Sequence, residues 1–341
     1  RLDGLDRHRR RDLAGGVTAH AVAHHEEVER RIEEDRVLVV VALLPDVGFA
    51  YRDDVHAGNL PRRTAPRQTF SLDVDACARD PGGMNKLVSS ADDAVRDIQD
   101  GATLMVGGFG LCGNPESLIA ALHRRGTKGL TIISNNCGTT DKGLGILLAA
   151  GQVKKMVSSY VGENKEFERR FLTGELDVEL NPQGTLAERI RAGGAGVPAF
   201  YTATGVGTAV SEGGLPIRYR PDGTIAVASP KKEVRRIVDP RTGKERDYVL
   251  ETGLFADFCL VRAWKADKLG NLVFRKTARN FSPMMCTAAR VTIVEAESIV
   301  EPGAIDGDAV HVAGAFVKRL LAVESKANWS EQRTVRARGA A

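Results

Sequence analysis

From about Thr103 onward, apolar and polar positions fall into blocks that predict strands and helices in turn. Thr103–Val106 is a short apolar run bounded by glycines, the pattern of a buried parallel strand. Asn114, as N-cap, and Pro115, at the first helical position, open a helix whose apolar positions include Leu118, Ile119 and Leu122. Gly126 is its expected stop. A strand over 130–134, a short helix over 143–150, a strand over 155–161 and a charged helix to Leu172 continue the alternation. Next come a strand over 176–180, a helix through Arg191 opened by a Thr185/Glu188 capping box, and a strand at Ala199–Thr202. Residues 224–255 read as antiparallel strands around a basic hairpin tip at 239–244. Strands at 257–265 and 272–274 flank a second hairpin, followed by a short helix over 282–289 and a strand over 291–295. The pattern predicts an α/β fold: a mostly parallel open sheet flanked by helices, with a small antiparallel region.

Upstream, the periodicity is poor apart from a helix-like stretch over 24–36 and an apolar run over 37–44. Residues 1–83 hold 13 arginines, no lysine, five of the seven histidines and 15 acids, too acidic for a mitochondrial transit peptide. A consistent pattern begins at Met84, with Ser90 as N-cap, Asp93 three residues on and a helix to Ile98. The expected organisation is an extension over 1–83 that is foreign to the domain, with Met84 the true start, a domain over 84–323 and a polar tail over 324–341.

Over 341 residues the net charge is only +4 with no long basic block, which does not suggest nucleic acid. Five scattered cysteines without C-x-x-C spacing argue for a reducing compartment, the cytoplasm, and against a zinc ribbon or disulfide framework. The longest apolar run is too short to span a bilayer, and no segment resembles a signal peptide. His123 and His311 are isolated, so no metal constellation is expected.

Candidate chemistry centres on Gly107, Gly108, Gly110 and Gly113. Strand, glycine turn and helix N-terminus together point N–H groups at an anion; the alternative is a tight turn that only packs helix on sheet. Gly108, Gly110 and Gly113 also spell G-x-G-x-x-G, but a nicotinamide site needs an acid about 20 residues on. Counting on reaches 132–136, which holds no carboxylate. Asn135 and Asn136 follow a strand at its C-terminal end, where ligands bind in open α/β sheets, and are either amide donors or loop caps. Glu163, at a strand-to-helix turn, is either a nucleophile or base or an acid favouring a helix N-terminus. The Gln183 amide could hold a carboxylate or carbonyl oxygen. A glycine-rich loop over 203–216 is long enough to suggest function.

Residues 100–115 run Asp-Gly, then an apolar strand, Gly-Gly-Phe and Gly-Asn-Pro. They resemble the signature of the family-1 coenzyme A transferases. Ser134-Asn135-Asn136, residues 158–164, 174–201, 263–267 and 274–281 are similar to the alpha half of the family members that act on 3-oxo acids, and the resemblance covers about 84–323. It implies the alpha subunit of a two-chain enzyme of ketone-body metabolism, a heterodimer or heterotetramer, moving CoA from succinyl-CoA to acetoacetate. In that family the nucleophile is a glutamate in a Ser-Glu-Asn-Gly motif of the beta half. This chain lacks the motif; Glu163-Asn164 is its closest echo, with Lys165 in place of glycine, and reads as a structural counterpart. The resemblance further implies that Asn135, Asn136 and Gln183 supply supporting amides, and that Gly107, Gly108, Phe109, Gly110, Leu111, Cys112 and Gly113 match the CoA segment. No metal or permanent cofactor is implied, a CoA thioester being the substrate. The alternatives are a transferase for 3-oxoadipate or another short acyl chain, an NAD-dependent dehydrogenase, and a non-catalytic protein that senses acyl-CoA.

Overall fold

The computed structural model describes residues 86–162 and 164–324. The expectations for 1–83, for Glu163 and for nearly all of the tail therefore lie outside the described residues. In chain order the elements are α1 (Ala91–Ala94), β1 (Thr103–Val106), α2 (Glu116–Arg125), β2 (Leu130–Ile133), α3 (Gly145–Ala149) and β3 (Val153–Ser158). Then follow α4 (Lys165–Leu172), β4 (Asp177–Leu180), α5 (Gln183–Gly194), β5 (Ala199–Thr202), α6 (Ala209–Glu212), β6 (Pro216–Tyr219), β7 (Ile225–Ala228) and β8 (Val234–Val238). The last are β9 (Glu245–Thr252), β10 (Ala256–Asp267), β11 (Leu272–Val273), α7 (Ser282–Thr287), β12 (Ala289–Val300) and β13 (Val317–Ala322).

The main sheet runs β13-β12-β10-β1-β2-β3-β4, parallel throughout, with β11 antiparallel on β10. The chain builds outward from β1 through β4, then returns to the other side of β1 with β10 and builds outward again. The strand order therefore reverses between β1 and β10, the kind of point at which open α/β sheets bind ligands. Two small antiparallel sheets, β5-β9-β8 and β6-β7, make up the predicted antiparallel region.

Period-2 alternation gives the sheet two buried faces. Leu104, Val106, Leu260 and Ile293 pack with Leu118, Ile119 and Leu122 of α2 and Phe167 of α4. Met105, Ile133, Val261 and Val294 pack with Leu186 and Ile190 of α5 and Met285 of α7. Each such side chain contributes on the order of 1.5–3 kcal/mol by leaving water.

Several local expectations are corrected. Helix α2 begins at Glu116 after Pro115, without a side-chain cap. Asn114 is instead buried between two loops: a Cβ on Gly108 would lie 1.8 Å from its Oδ1, and one on Gly143 2.4 Å from its Nδ2. The Thr185/Glu188 capping box does not form, because α5 starts at Gln183, with Pro182 rather than Thr185 at its N-cap, and Glu188 pairs with Arg191 at 2.6 Å. Ser90 does cap α1, accepting from Asp93 N at 3.1 Å, but the helix ends at Ala94 rather than Ile98. Within 203–216, Thr208 caps the short helix α6. Strand β13 had no counterpart in the sequence reading.

Gly108 sits at φ +137 with no room for a side chain. Gly108→Ala combines backbone strain with a clash against buried Asn114 and is expected to cost roughly 2–3 kcal/mol. A urea midpoint unchanged from the parent would contradict that packing.

Candidate functional site

The glycine loop leaves β1 at Gly107 and is held almost wholly by the protein's own acceptors. Gly107 N donates to Leu260 O at 2.9 Å, Gly108 N to Asn280 Oδ1 at 3.2 Å and Gly110 N to Asn136 Oδ1 at 3.1 Å. Phe109 and Cys112 exchange backbone bonds at 3.0–3.1 Å. The helix N-terminus that follows is occupied too. Ser117 N and Leu118 N donate to Glu295 Oε2 at 2.9 and 3.1 Å. The anion that the sequence leads one to expect at this helix end is thus a carboxylate of the same chain, reaching over from β12. Glu295 is 1 % exposed. Burial pushes its pKa up to about 7, against the pull of the two N–H donors and of Arg262.

Asn280 rivets the loop from the far side. Its Nδ2 donates to Cys112 O at 3.1 Å while its Oδ1 accepts from Gly108 N, so one side chain spans the loop. Gly113, at φ +79, approaches so closely that a Cβ there would lie 2.9 Å from Ala278 O.

Across the same edge of the sheet, Asn135 and Asn136 follow β2 and are buried. Asn135 Oδ1 accepts from Ser159 Oγ at 2.8 Å and from Gln183 Nε2 at 3.2 Å. These bonds fix the amide orientation, and among the described residues Asn135 Nδ2 has no acceptor. Gln183 is the first residue of α5, just after the turn at Asn181-Pro182. That turn is pinned by Arg189, which donates to Asn181 Oδ1 at 2.5 Å, Glu179 Oε1 at 2.8 Å and Thr252 O at 2.8 Å. Asn135 and Gln183, 48 residues apart, therefore meet at a site supported by buried side chains.

The structure brings Gly107–Gly113, Asn135, Asn136 and Gln183 to one edge of the sheet. Asn135 and Gln183 form a pair, whereas Asn136 is engaged with the glycine loop. Glu163 lies outside the described residues; its neighbour Asn164 caps α4, accepting from Phe167 N at 3.0 Å. Sequence reading missed Ser159, Arg189, Glu295 and Asn280. Of these, Ser159, Arg189 and Asn280 fall within the resembling stretches 158–164, 174–201 and 274–281, whereas Glu295 lies outside every such stretch. Two exposed aromatics flank the edge, Phe109 at 47 % and Tyr160 at 56 %. The nearby thiol of Cys137 is no nucleophile, because burial pushes its pKa up to about 12.

Residues 88–322 match the family model described as coenzyme A transferase. The chain belongs to the coenzyme A transferase family. It is 57 % identical over 239 residues to the A-type subunit of the succinyl-CoA:3-ketoacid coenzyme A transferase of Xanthomonas campestris, covering 70 % of this chain and 89 % of that one. It is 55 % identical over 236 residues to the human mitochondrial succinyl-CoA:3-ketoacid coenzyme A transferase 2, covering 69 % of this chain and 44 % of the human protein. The crystal structure of an acyl-CoA transferase apoenzyme from Escherichia coli matches with a TM-score of 0.59 at 21 % identity, over 71 % of this chain and 47 % of that one. The chain spans about half the length of these last two proteins.

Proposed function

We propose that this chain is the alpha subunit of a two-chain transferase that moves CoA from succinyl-CoA to a 3-oxo acid, acetoacetate, in the cytoplasm. The reaction passes through a glutamyl-CoA thioester on a partner, the beta subunit. The observation that carries this reading is the pairing of buried Asn135 with half-buried Gln183 at the sheet edge, joined by Asn135 Oδ1 so that the Nδ2 donor is left for an oxyanion.

The partner carboxylate attacks the thioester carbonyl and expels CoA thiolate, leaving a mixed anhydride. The thiolate attacks the glutamyl carbonyl, releasing succinate and forming the enzyme thioester. The acid acceptor then runs the same two steps in reverse, and the glutamate returns unchanged. Each step develops negative charge on oxygen. Neutral amides stabilise that charge without neutralising the attacking carboxylate, as an arginine at the same place would. The backbone of Gly107–Gly113, fastened by Asn136 and Asn280, lines the coenzyme's path as a rigid wall. Exposed Phe109 and Tyr160 suit a surface completed by the partner, which would keep water from the covalent intermediate.

The test is exchange of CoA between succinyl-CoA and acetoacetate, measured with this chain alone and with the co-expressed beta partner. Exchange is expected only in the mixture. Exchange by the lone chain would contradict the assignment and bring Glu163 forward as nucleophile. A folded complex active with 3-oxoadipate and silent with acetoacetate would keep the chemistry and replace the acceptor.

A further inference from the structure

Beyond Leu260, the partner of Val106 at the end of β1, strand β10 runs on with no β1 neighbour. Over this stretch, at the point where the strand order reverses, lies a cleft of about 310 Å³. Its walls include Cys112 of the glycine loop, Arg262 and Trp264 of β10, Arg275, Lys276 and Glu297. Arg262 is 8 % exposed and neutralised by Glu297, with Nη2 to Oε1 at 2.8 Å. Arg275 and Lys276 are exposed, and no ion pair to either is found among the described residues. The Arg275 guanidinium lies over the Trp264 ring at 5.5 Å, and Lys265 Nζ lies 4.9 Å from the same ring. The cleft thus carries an excess of positive charge around one aromatic surface.

The backbone here is strained. Among the described residues, the non-glycine positions with positive φ are Lys276, at +52, and Asn280, at +24. Both bound a 3-10 turn at Lys276–Arg279, which walls the cleft. Such conformations persist where the surrounding structure enforces them, and they cluster at ligand clamps.

The neighbouring alternatives for holding an anion are already taken: the α2 N-terminus by Glu295, and most of the glycine-loop N–H groups by protein oxygens. We infer that the cleft is the anion subsite of the acyl-CoA site, in which Arg275 and Lys276 hold the phosphates at the nucleotide end of coenzyme A beside Trp264. This rests on the CoA reading above. The glycine loop then walls the coenzyme, and the phosphates are bound by side-chain charge rather than by backbone N–H groups.

A carboxylate of the acid substrate is the other anion such a cleft could take, and binding measurements separate the two. The co-purified two-chain complex is titrated with coenzyme A, with 4′-phosphopantetheine, which lacks the nucleotide, and with succinate. The parent is expected to bind coenzyme A more tightly than 4′-phosphopantetheine. In the Arg275→Glu, Lys276→Glu double variant the Kd for coenzyme A is expected to rise by about tenfold or more, with the other two affinities unchanged. A gentler variant, Lys276→Gly, removes a charge at a φ that glycine accepts. It should melt no lower than the parent and still bind coenzyme A more weakly. An unchanged Kd for coenzyme A, an equal loss for 4′-phosphopantetheine, or a loss confined to succinate would each overturn the inference. If the parent exchanges CoA while the variants bind coenzyme A normally, this subsite fails and the proposed function stands. If the variants lose coenzyme A but the parent complex never exchanges it, the subsite stands and the function fails.

Discussion

Glu295→Ala is expected to destabilise the chain by roughly 3–5 kcal/mol, because it leaves two N–H donors of α2 without an acceptor in a dry site. Leu118 and the Glu295 carboxylate are both buried, so water cannot readily replace the lost bonds. Glu295→Gln keeps an acceptor oxygen and should cost far less, and it reports on charge. The folded-state pKa of Glu295, about 7, lies above its ordinary value of 4.5. Its contribution to stability is therefore fully present below pH 4.5 and is lost as pH rises through 7, about 3 kcal/mol in all. The groups that face it work as described: Arg262 favours the ionised form and Glu116 opposes it. Asp97, Glu166, Glu179 and Asp239 have lowered pKa values, so their stabilisation is present above their ordinary values and lost in acid. The parent should thus gain stability up to about pH 4.5 and then lose part of it towards pH 7. Urea midpoints against pH check this. Glu295→Gln should flatten the upper limb; parallel profiles for parent and variant between pH 5 and 7.5 would contradict it.

Asn135→Ala is expected to lower kcat for CoA exchange by about 100- to 1,000-fold, the usual loss when one oxyanion donor is removed. The KM for succinyl-CoA should move much less, because the donor acts on charge that develops in the transition state. Alanine also strips the partner from Gln183 Nε2 and one acceptor from Ser159, so some stability goes with it. Asn135→Asp separates the two effects. Its carboxylate still accepts from Gln183 and Ser159, which keeps the fold, but it replaces the outward donor with an oxygen that repels anionic substrates. A thermally intact Asn135→Asp complex with near-normal kcat would remove Asn135 from the chemistry.

Local pattern made most of the fold legible. The strand at Thr103–Val106, the αL stop at Gly126 and the hairpin tip around Gly243 follow from apolar runs and turn residues, and each is where spacing puts it. The resemblance carried by 100–115 and 274–281 gave the family. What stayed hidden depends on contacts distant in sequence. Asn114 has the right type and position for an N-cap, yet Glu295, about 180 residues further on, takes the N–H groups that a cap would take. Thr185 and Glu188 match a capping box, but the Arg189 network pins the turn at Asn181 and starts the helix early. Strand β13 mixes charged and apolar residues because it is a sheet edge, with weak alternation of its own. At the site, Asn135 and Gln183 were nameable one by one. Their pairing was not, nor was the engagement of Asn136 with the glycine loop, since the first depends on how β2 and α5 converge and the second on how the end of β2 meets the loop after β1.

The central claim is that this chain supports a nucleophile that it does not itself carry. The direct test is to incubate the two-chain complex with succinyl-CoA in the absence of acceptor, denature it, and weigh both chains by mass spectrometry. The expected result is a CoA adduct on the partner alone, with this chain at its unmodified mass. An adduct on this chain, mapped to Glu163 or to any other residue, would contradict the account.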